Sequence, residues 1–445
     1  MSVSPFDSAL HGGLFADPEL ATLFSDAAEL RALLEVEAAL ARVEGRLGII
    51  PAEAAEKISA AAARFAPEPG ALAAGTANAG IPIPALVAAL RAAVGDDEAA
   101  GFVHWGATSQ DIIDSGLVLR LREAIVLLEA RLERLAQGLA ALAETHRTTV
   151  MVGRTRGQQA VPTSFGLKAA TWLAPLLRAQ TRLAELKPRL LLLSFGGAAG
   201  NLSAFGDRGL ELAEALAADL QLGLPAAPWH VQRDGIAEFG SWLTLVTGSL
   251  GKLGQDVLLL AQNEVGELRE GGKDRGGSIT MPQKANPVSS EVLVTLAQMN
   301  AGLLANLQRA MLQEQERGGP GWQLEWLTLP QMVVATGAAL RHAEELTAGL
   351  EVDAARMRAN LEASQGLVLA EAASFALAAT MPRPAAQALV KAACAEVPSS
   401  GRHLFDILAE TAEAPVDWLA LRDPAAQLGS AEAFIDRVLA EHARG

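Results

Sequence analysis

The sequence predicts an all-α protein, and three observations carry that expectation. Half of the 445 residues are hydrophobic while only 4% are aromatic, with alanine and leucine dominant, a bias towards strong helix formers. From Ser115 to about His146 the apolar positions Leu121, Ile125, Leu128, Leu132, Leu135, Leu139 and Leu142 step by four and three without a slip, which is one face of a long helix. Little of the remaining chain carries the alternation of a strand.

Taken in order, the elements follow from the same logic. The uncharged run Gly70 to Leu90 is long enough to cross a bilayer, yet Gly75, Asn78, Gly80, Pro82 and Pro84 break it into a loop and a short helix. The Ser115 segment makes a helix of about thirty residues, roughly 45 Å long, whose apolar seam needs partner helices. Another helix is expected from Phe165 to Lys187, bent near Pro175. The stretch from Phe239 to about Glu267 is apolar nearly all round, with Gly240, Gly248, Gly251 and Gly254 interspersed; it suits the centre of a bundle, its glycines letting neighbours come close. A further long helix should run from Pro287 to about Gln313. Boundaries are placed near the Gly95-Asp96-Asp97 turn and after the long helices, giving an N-terminal helical domain (1–103), a central long-helix bundle (104–346) and a C-terminal helical domain (347–445). More apolar helix surface than one chain can cover points to an oligomer.

Charge and composition exclude several function classes. The formal net charge of −15 argues against nucleic acid as partner, because a phosphate backbone calls for a basic face. An anionic substrate must then be drawn into a local basic pocket, for which Arg154, Arg156, Lys284 and Arg317 are candidates. The single cysteine, Cys394, rules out an intrachain disulfide and a cysteine-cluster metal site, and none of the seven histidines forms a His-x-x-x-His pair; no metal and no cofactor are expected. There is no tyrosine to serve as acid or base. Without a basic, apolar leader the chain reads as cytoplasmic, with no membrane role.

Three segments carry chemistry. Residues 277 to 287 read Gly-Ser-Ile-Thr-Met-Pro-Gln-Lys-Ala-Asn-Pro, placing Ser278, Lys284 and Asn286 in a loop opened by Gly271, Gly272, Gly276 and Gly277. Such a loop can swing over a ligand and present its amides, and the helix beginning near Pro287 would add the positive end of its dipole, a seat for a carboxylate or phosphate. The second segment, His104-Trp105-Gly106-Ala107-Thr108-Ser109-Gln110-Asp111, offers hydroxyl and amide donors in a row, with Asp111 able to cap the helix that follows. The third, Gly153 to Thr163, is a polar turn holding Arg154, Arg156 and Gln159 without an acidic neighbour in sequence.

Together these segments resemble the signatures of the fumarase/aspartase superfamily, whose members make or break a C–N or C–O bond beta to a carboxylate. The resemblance implies Ser278 as catalytic acid/base, Lys284 and Asn286 on substrate carboxylates, and a homotetramer with active sites shared between subunits. The second serine of the usual signature is Ile279 here, so that hydroxyl is lost. Relatives that cleave adenylosuccinate carry a proton-donating histidine where this chain has Arg156; a guanidinium that stays charged removes the general acid and adds a carboxylate clamp. The form of the His104 segment is similar to that of the lactonising branch, which implies ring closure of a tricarboxylate, 3-carboxy-cis,cis-muconate. By the same resemblance His104 joins Ser278 as a catalytic candidate, Thr108, Ser109, Gln110, Arg156 and Gln159 bind substrate, and Arg317, in Glu-Gln-Glu-Arg ahead of Trp322 and Glu325-Trp326, reaches it as well. Pro228-Trp229-His230 and Arg233-Asp234 fit the pattern more weakly. The alternatives are a fumarate-releasing lyase and a helical scaffold that has lost activity.

Overall fold

The computed structural model describes residues 3–271 and 276–444. The fold is all-α: long helices dominate, and the described strands form only two short two-stranded antiparallel sheets. The five longest helices are Ser109–Thr145, Phe165–Leu190, Asp234–Leu260, Val288–Ala310 and Pro320–Gly349. The first, at 37 residues, begins six residues before the expected Ser115. The Gly70 to Leu90 run departs from expectation. It forms two helices, Pro69–Ala79 and Ile83–Val94, because Pro69 suits a first helical turn and Gly80 supplies the left-handed cap between them (φ 75°). Neither is long enough to cross a membrane.

The chain divides into two compact units, each built from discontinuous segments. The first comprises residues 1–131, 179–248 and 296–341. Its core is laid down by the Asp26–Arg46 helix, where Leu33, Val36, Leu40 and Val43 repeat at helical spacing and meet Ile58, Leu86, Leu90, Val118, Leu212 and Leu216. Ser25 caps that helix through the Ala28 amide at 3.3 Å. The expected role of the glycines holds in part: a Cβ on Gly240 would lie 2.4 Å from Leu307, so the helices touch there, whereas one on Gly248 would meet nothing within 4 Å.

The second unit comprises residues 132–178, 249–295 and 342–445. Val150, Val152, Leu361, Leu377, Val390, Phe405 and Leu408 share its core. Here the glycine expectation holds again, since a Cβ on Gly254 would lie 2.7 Å from the Ser290 carbonyl. The segment read as a polar turn is a hairpin, Val150–Thr155 paired with Gln158–Ser164. Arg156 and Gly157 form its two-residue turn with φ of 52° and 81°, the positive angles that match strand twist.

Candidate active site

In the first unit the polar donors sit at the start of the Ser109–Thr145 helix. Thr108 occupies the cap position, and Asp111, three residues on, reaches back to its amide at 2.9 Å. Asp111 therefore braces the helix start from inside the first turn. It is fully buried and also accepts the amides of Gly196 and Gly197 at 2.8 and 3.0 Å, while His230 Nε2 lies 2.7 Å away. One turn further, Asp114 faces the same way, as residues three apart on a helix do. It accepts Arg233 Nη1 at 2.7 Å and Trp322 Nε1 at 3.0 Å, and Arg233 in turn donates to Glu325 at 2.8 and 2.6 Å. Burial opposes the charge on Arg233, but Asp114 and Glu325 outweigh it and raise its pKa above the ordinary guanidinium value. Residues around 230 and 325, separated by about ninety positions, thus lock one turn of helix.

Within this frame Thr108 and Ser109 stay half-buried with hydroxyls at the helix start. Gln110 is turned inward: its amide donates to Asp114 at 3.1 Å and to the His230 carbonyl at 2.8 Å. Arg317 is exposed, and its Nη2 donates to the carbonyls of Gly197 and Ala198 at 3.2 and 3.0 Å. It grips the glycine loop that Asp111 holds by its amides. His104 lies in the left-handed region (φ 62°), two residues before Gly106 (φ 64°). A Cβ on Gly106 would lie 2.3 Å from the Phe205 ring, so no other residue fits there. The His104 Nδ1 is 2.7 Å from Glu37 Oε1, a side chain that is 1% exposed. Burial opposes protonation of the imidazole, yet the hydrogen bond and charge of Glu37, aided by Asp111, prevail and raise the His104 pKa.

In the second unit Arg156 and Gln159 lie exposed at and beside the hairpin tip. Arg154 corrects the sequence reading. It has an acidic partner far along the chain, Glu267, which is fully buried and takes both guanidinium arms at 2.9 and 2.6 Å. That charge is committed, and the basic set reduces to Arg156, Lys284 and Arg317.

The signature loop is tied at its base. The Asn286 amide donates to the Gly276 carbonyl at 2.8 Å, and Gly277 bridges Ala285. Gly276 is at φ 69°, and a Cβ there would lie 2.1 Å from the Asn286 carbonyl, so glycine is required. Between these ties the Ser278 hydroxyl accepts the Met281 amide at 3.2 Å. Lys284 is exposed and makes no ion pair among the described residues, and Ile279 points to solvent, 103% exposed. The expected anion seat at the following helix is already filled. Glu270 accepts the amides of Ser289 and Ser290 at 3.1 and 2.7 Å and the Ser290 hydroxyl at 2.6 Å, so the dipole there is answered from within the chain.

Asp114, Glu37, Glu267, Glu270 and the Gly196-Gly197 turn were not picked out from sequence. Two of them left a trace: a carboxylate three residues beyond Asp111 in an apolar helix, and an acid at position 37 on the helix face that Leu33, Val36 and Leu40 mark out, each demand a buried partner.

A family model described as Lyase matches residues 15–301, and the chain belongs to that family, within the fumarase/aspartase superfamily. Among individual relatives, it is 48% identical over 99% of its length, and 98% of the other chain's, to a 3-carboxy-cis,cis-muconate cycloisomerase of Pseudomonas aeruginosa. Its fold superposes with a TM-score of 0.92 on the 3-carboxy-cis,cis-muconate lactonizing enzyme from Pseudomonas putida, at 45% identity over 98% of this chain and 99% of that one. A fumarate lyase from Mesorhizobium superposes at 0.90 with 41% identity, covering 96% and 98%.

Proposed function

We propose that this chain lactonises 3-carboxy-cis,cis-muconate to 4-carboxymuconolactone. The observation that carries the reading is the 48% identity along essentially the whole of both chains to an enzyme of that name. The fumarate-releasing alternative loses ground at Arg156, where the general acid it needs is replaced by a permanent cation.

In this substrate the nucleophile is already present. A carboxylate oxygen adds to the conjugated double bond, charge moves onto the alpha carbon and its carboxylate, and a proton is delivered to carbon. The protein folds the diene into attack distance and stabilises the aci-carboxylate. Lys284, Asn286, Thr108 and Ser109 take that role. Arg156, Gln159 and Arg317 hold the remaining carboxylates, and Gln110 contributes by fixing the helix start. Ser278 donates the proton. A hydroxyl is a weak acid, so its alkoxide needs support; the Met281 amide already points at its oxygen, and Lys284 supplies charge. His104, held by Glu37, is the second catalytic candidate, as proton relay or hydrogen-bond partner.

The reading includes a homotetramer with active sites built from segments of different subunits. Exposed apolar side chains on the long helices support it, among them Val126, Leu245, Leu259 and Leu327. A cytoplasmic setting fits the single free cysteine. The three-part division at 103 and 346 is supported by the Gly95 cap with its Asp96-capped turn and by the end of the Pro320–Gly349 helix.

The test is to mix purified protein with 3-carboxy-cis,cis-muconate and follow loss of the diene's ultraviolet absorbance, with adenylosuccinate alongside. Rapid loss with adenylosuccinate untouched is expected. A stable diene would reject the lactonising reading.

A further inference from the structure

The first unit contains a cavity of about 690 Å³ that the catalytic reading does not use. It lies between the Asp26–Arg46, Pro69–Ala79, Ser109–Thr145 and Pro320–Gly349 helices, and none of the motif residues from His104 to Gln110 lines it. Its walls are mainly apolar, with Leu30, Leu72, Leu117, Trp326 and Leu329 prominent, a size and character suited to a small organic molecule.

One cation faces this space. The Arg120 side chain is 11% exposed, and among the described residues none of its five N–H donors makes a hydrogen bond; Nε is fully enclosed without a partner there. Glu29 comes nearest, at 3.7 Å from Nη1, beyond hydrogen-bonding distance. The Phe24 ring lies 5.7 Å from the guanidinium carbon. Burial lowers the Arg120 pKa while Glu29 raises it. Arg233 makes the contrast, since its guanidinium donates to two carboxylates and its pKa is raised. A buried guanidinium with unmade hydrogen bonds is a costly arrangement that an acceptor entering the cavity would relieve.

We propose that this cavity is a second binding site, for an organic monocarboxylate with an apolar body, whose carboxylate takes the Arg120 fork while the body lies against Leu72, Leu117 and Trp326. The other charged groups on the lining define the class further. Glu325 shares the single Arg233 cation with Asp114, and Asp26 and Glu29 line the space as well, so a second or third carboxylate would be repelled. The site therefore discriminates against the tricarboxylate assigned to the catalytic residues. Glu29 competes for the same guanidinium.

The experiment is calorimetric titration of the full chain with 2-naphthoate, its neutral isostere 2-naphthalenemethanol, and the dianion naphthalene-1,4-dicarboxylate. The monoanion should bind roughly 10- to 100-fold tighter than the alcohol, the range for a charge-assisted fork, and tighter than the dianion. Arg120→Met should erase the preference for acid over alcohol. Glu29→Gln should tighten the monoanion several-fold, and this arm stands even where Arg120→Met does not fold. Equal affinity for acid and alcohol, a preference that survives Arg120→Met, the dianion binding best, or unchanged or weaker binding to Glu29→Gln would each overturn the proposal.

Discussion

Replacing Arg233 with methionine is the most informative perturbation of the site's framework. The substitution keeps much of the apolar stem but removes four charge-assisted hydrogen bonds, two to Glu325 at 2.8 and 2.6 Å and two to Asp114 at 2.7 and 3.2 Å. It leaves two carboxylates that are 0% and 2% exposed. The least costly response is for the pair to take up a proton. Protonating a carboxylate of ordinary pKa near 4 at pH 7 costs about 4 kcal/mol, three units at about 1.4 kcal/mol each, in line with roughly 3–5 kcal/mol for breaking a buried ion pair. The cost carries a pH signature. Burial already raises the Glu325 pKa against the pull of Arg233, and losing the guanidinium raises the carboxylate pKa further, so stability is present at low pH and lost as pH rises, and the deficit against wild type should grow from about 1.5 kcal/mol at pH 5 to at most about 4 kcal/mol at pH 7. Urea unfolding followed by far-ultraviolet circular dichroism, at one protein concentration and both pH values, measures it. A deficit below about 1 kcal/mol, or one that is equal at the two pH values, would refute the reasoning.

Other outcomes are expected on the same grounds. Ser278→Ala should lower kcat by at least about 10²-fold, the range for a lost general acid, with KM nearly unchanged; wild-type turnover in steady-state assays would remove the serine from the mechanism. Glu37→Gln should drop the His104 pKa, because the charge that offsets burial of the ring is gone, and a histidine titration by NMR that leaves the resonance in place would contradict that cause. Glu44 is fully buried, and burial together with the charge of Glu37 pushes its pKa up to about 9. A raised carboxyl pKa gives stability that is complete below about pH 4.5 and lost as pH rises towards 9. Glu44→Gln should therefore flatten the decline of Tm between pH 5 and 9, and an unaltered slope would show that the group titrates normally.

The long helices were legible because their signal is repetitive: Leu121 to Leu142 keep one face over six turns, and the core they enter needs only that face. The donors at Thr108 and Ser109 and the Ser278 loop were legible because each lies in a short contiguous motif. Partners were not. Arg154 looked free because Glu267 lies 113 residues away, and nothing local distinguishes that carboxylate from its neighbours. Asp114 and Arg233 are 119 residues apart, and nothing local pairs the one with the other. The anion seat expected at the Val288–Ala310 helix failed for a related reason: pattern shows where a helix begins, but not that Glu270 folds back onto its first amides. The run from Gly70 to Leu90 was misread because Gly75, Asn78, Gly80, Pro82 and Pro84 were weighed as breakers, when Gly80 caps one helix and Pro82 and Pro84 open the next.

The knot at the base of the signature loop separates inheritance inside it from inheritance outside. With Gly276 and Gly277 fastened to Asn286 and Ala285, residues 278 to 284 behave as a cassette whose contents can vary without disturbing the helices that bear it. The isoleucine at 279, wholly outside the packing, is such a variation. Exchanging that cassette between relatives is accordingly a route to altered chemistry on an unaltered body, and Gly276 is the position such a graft must keep.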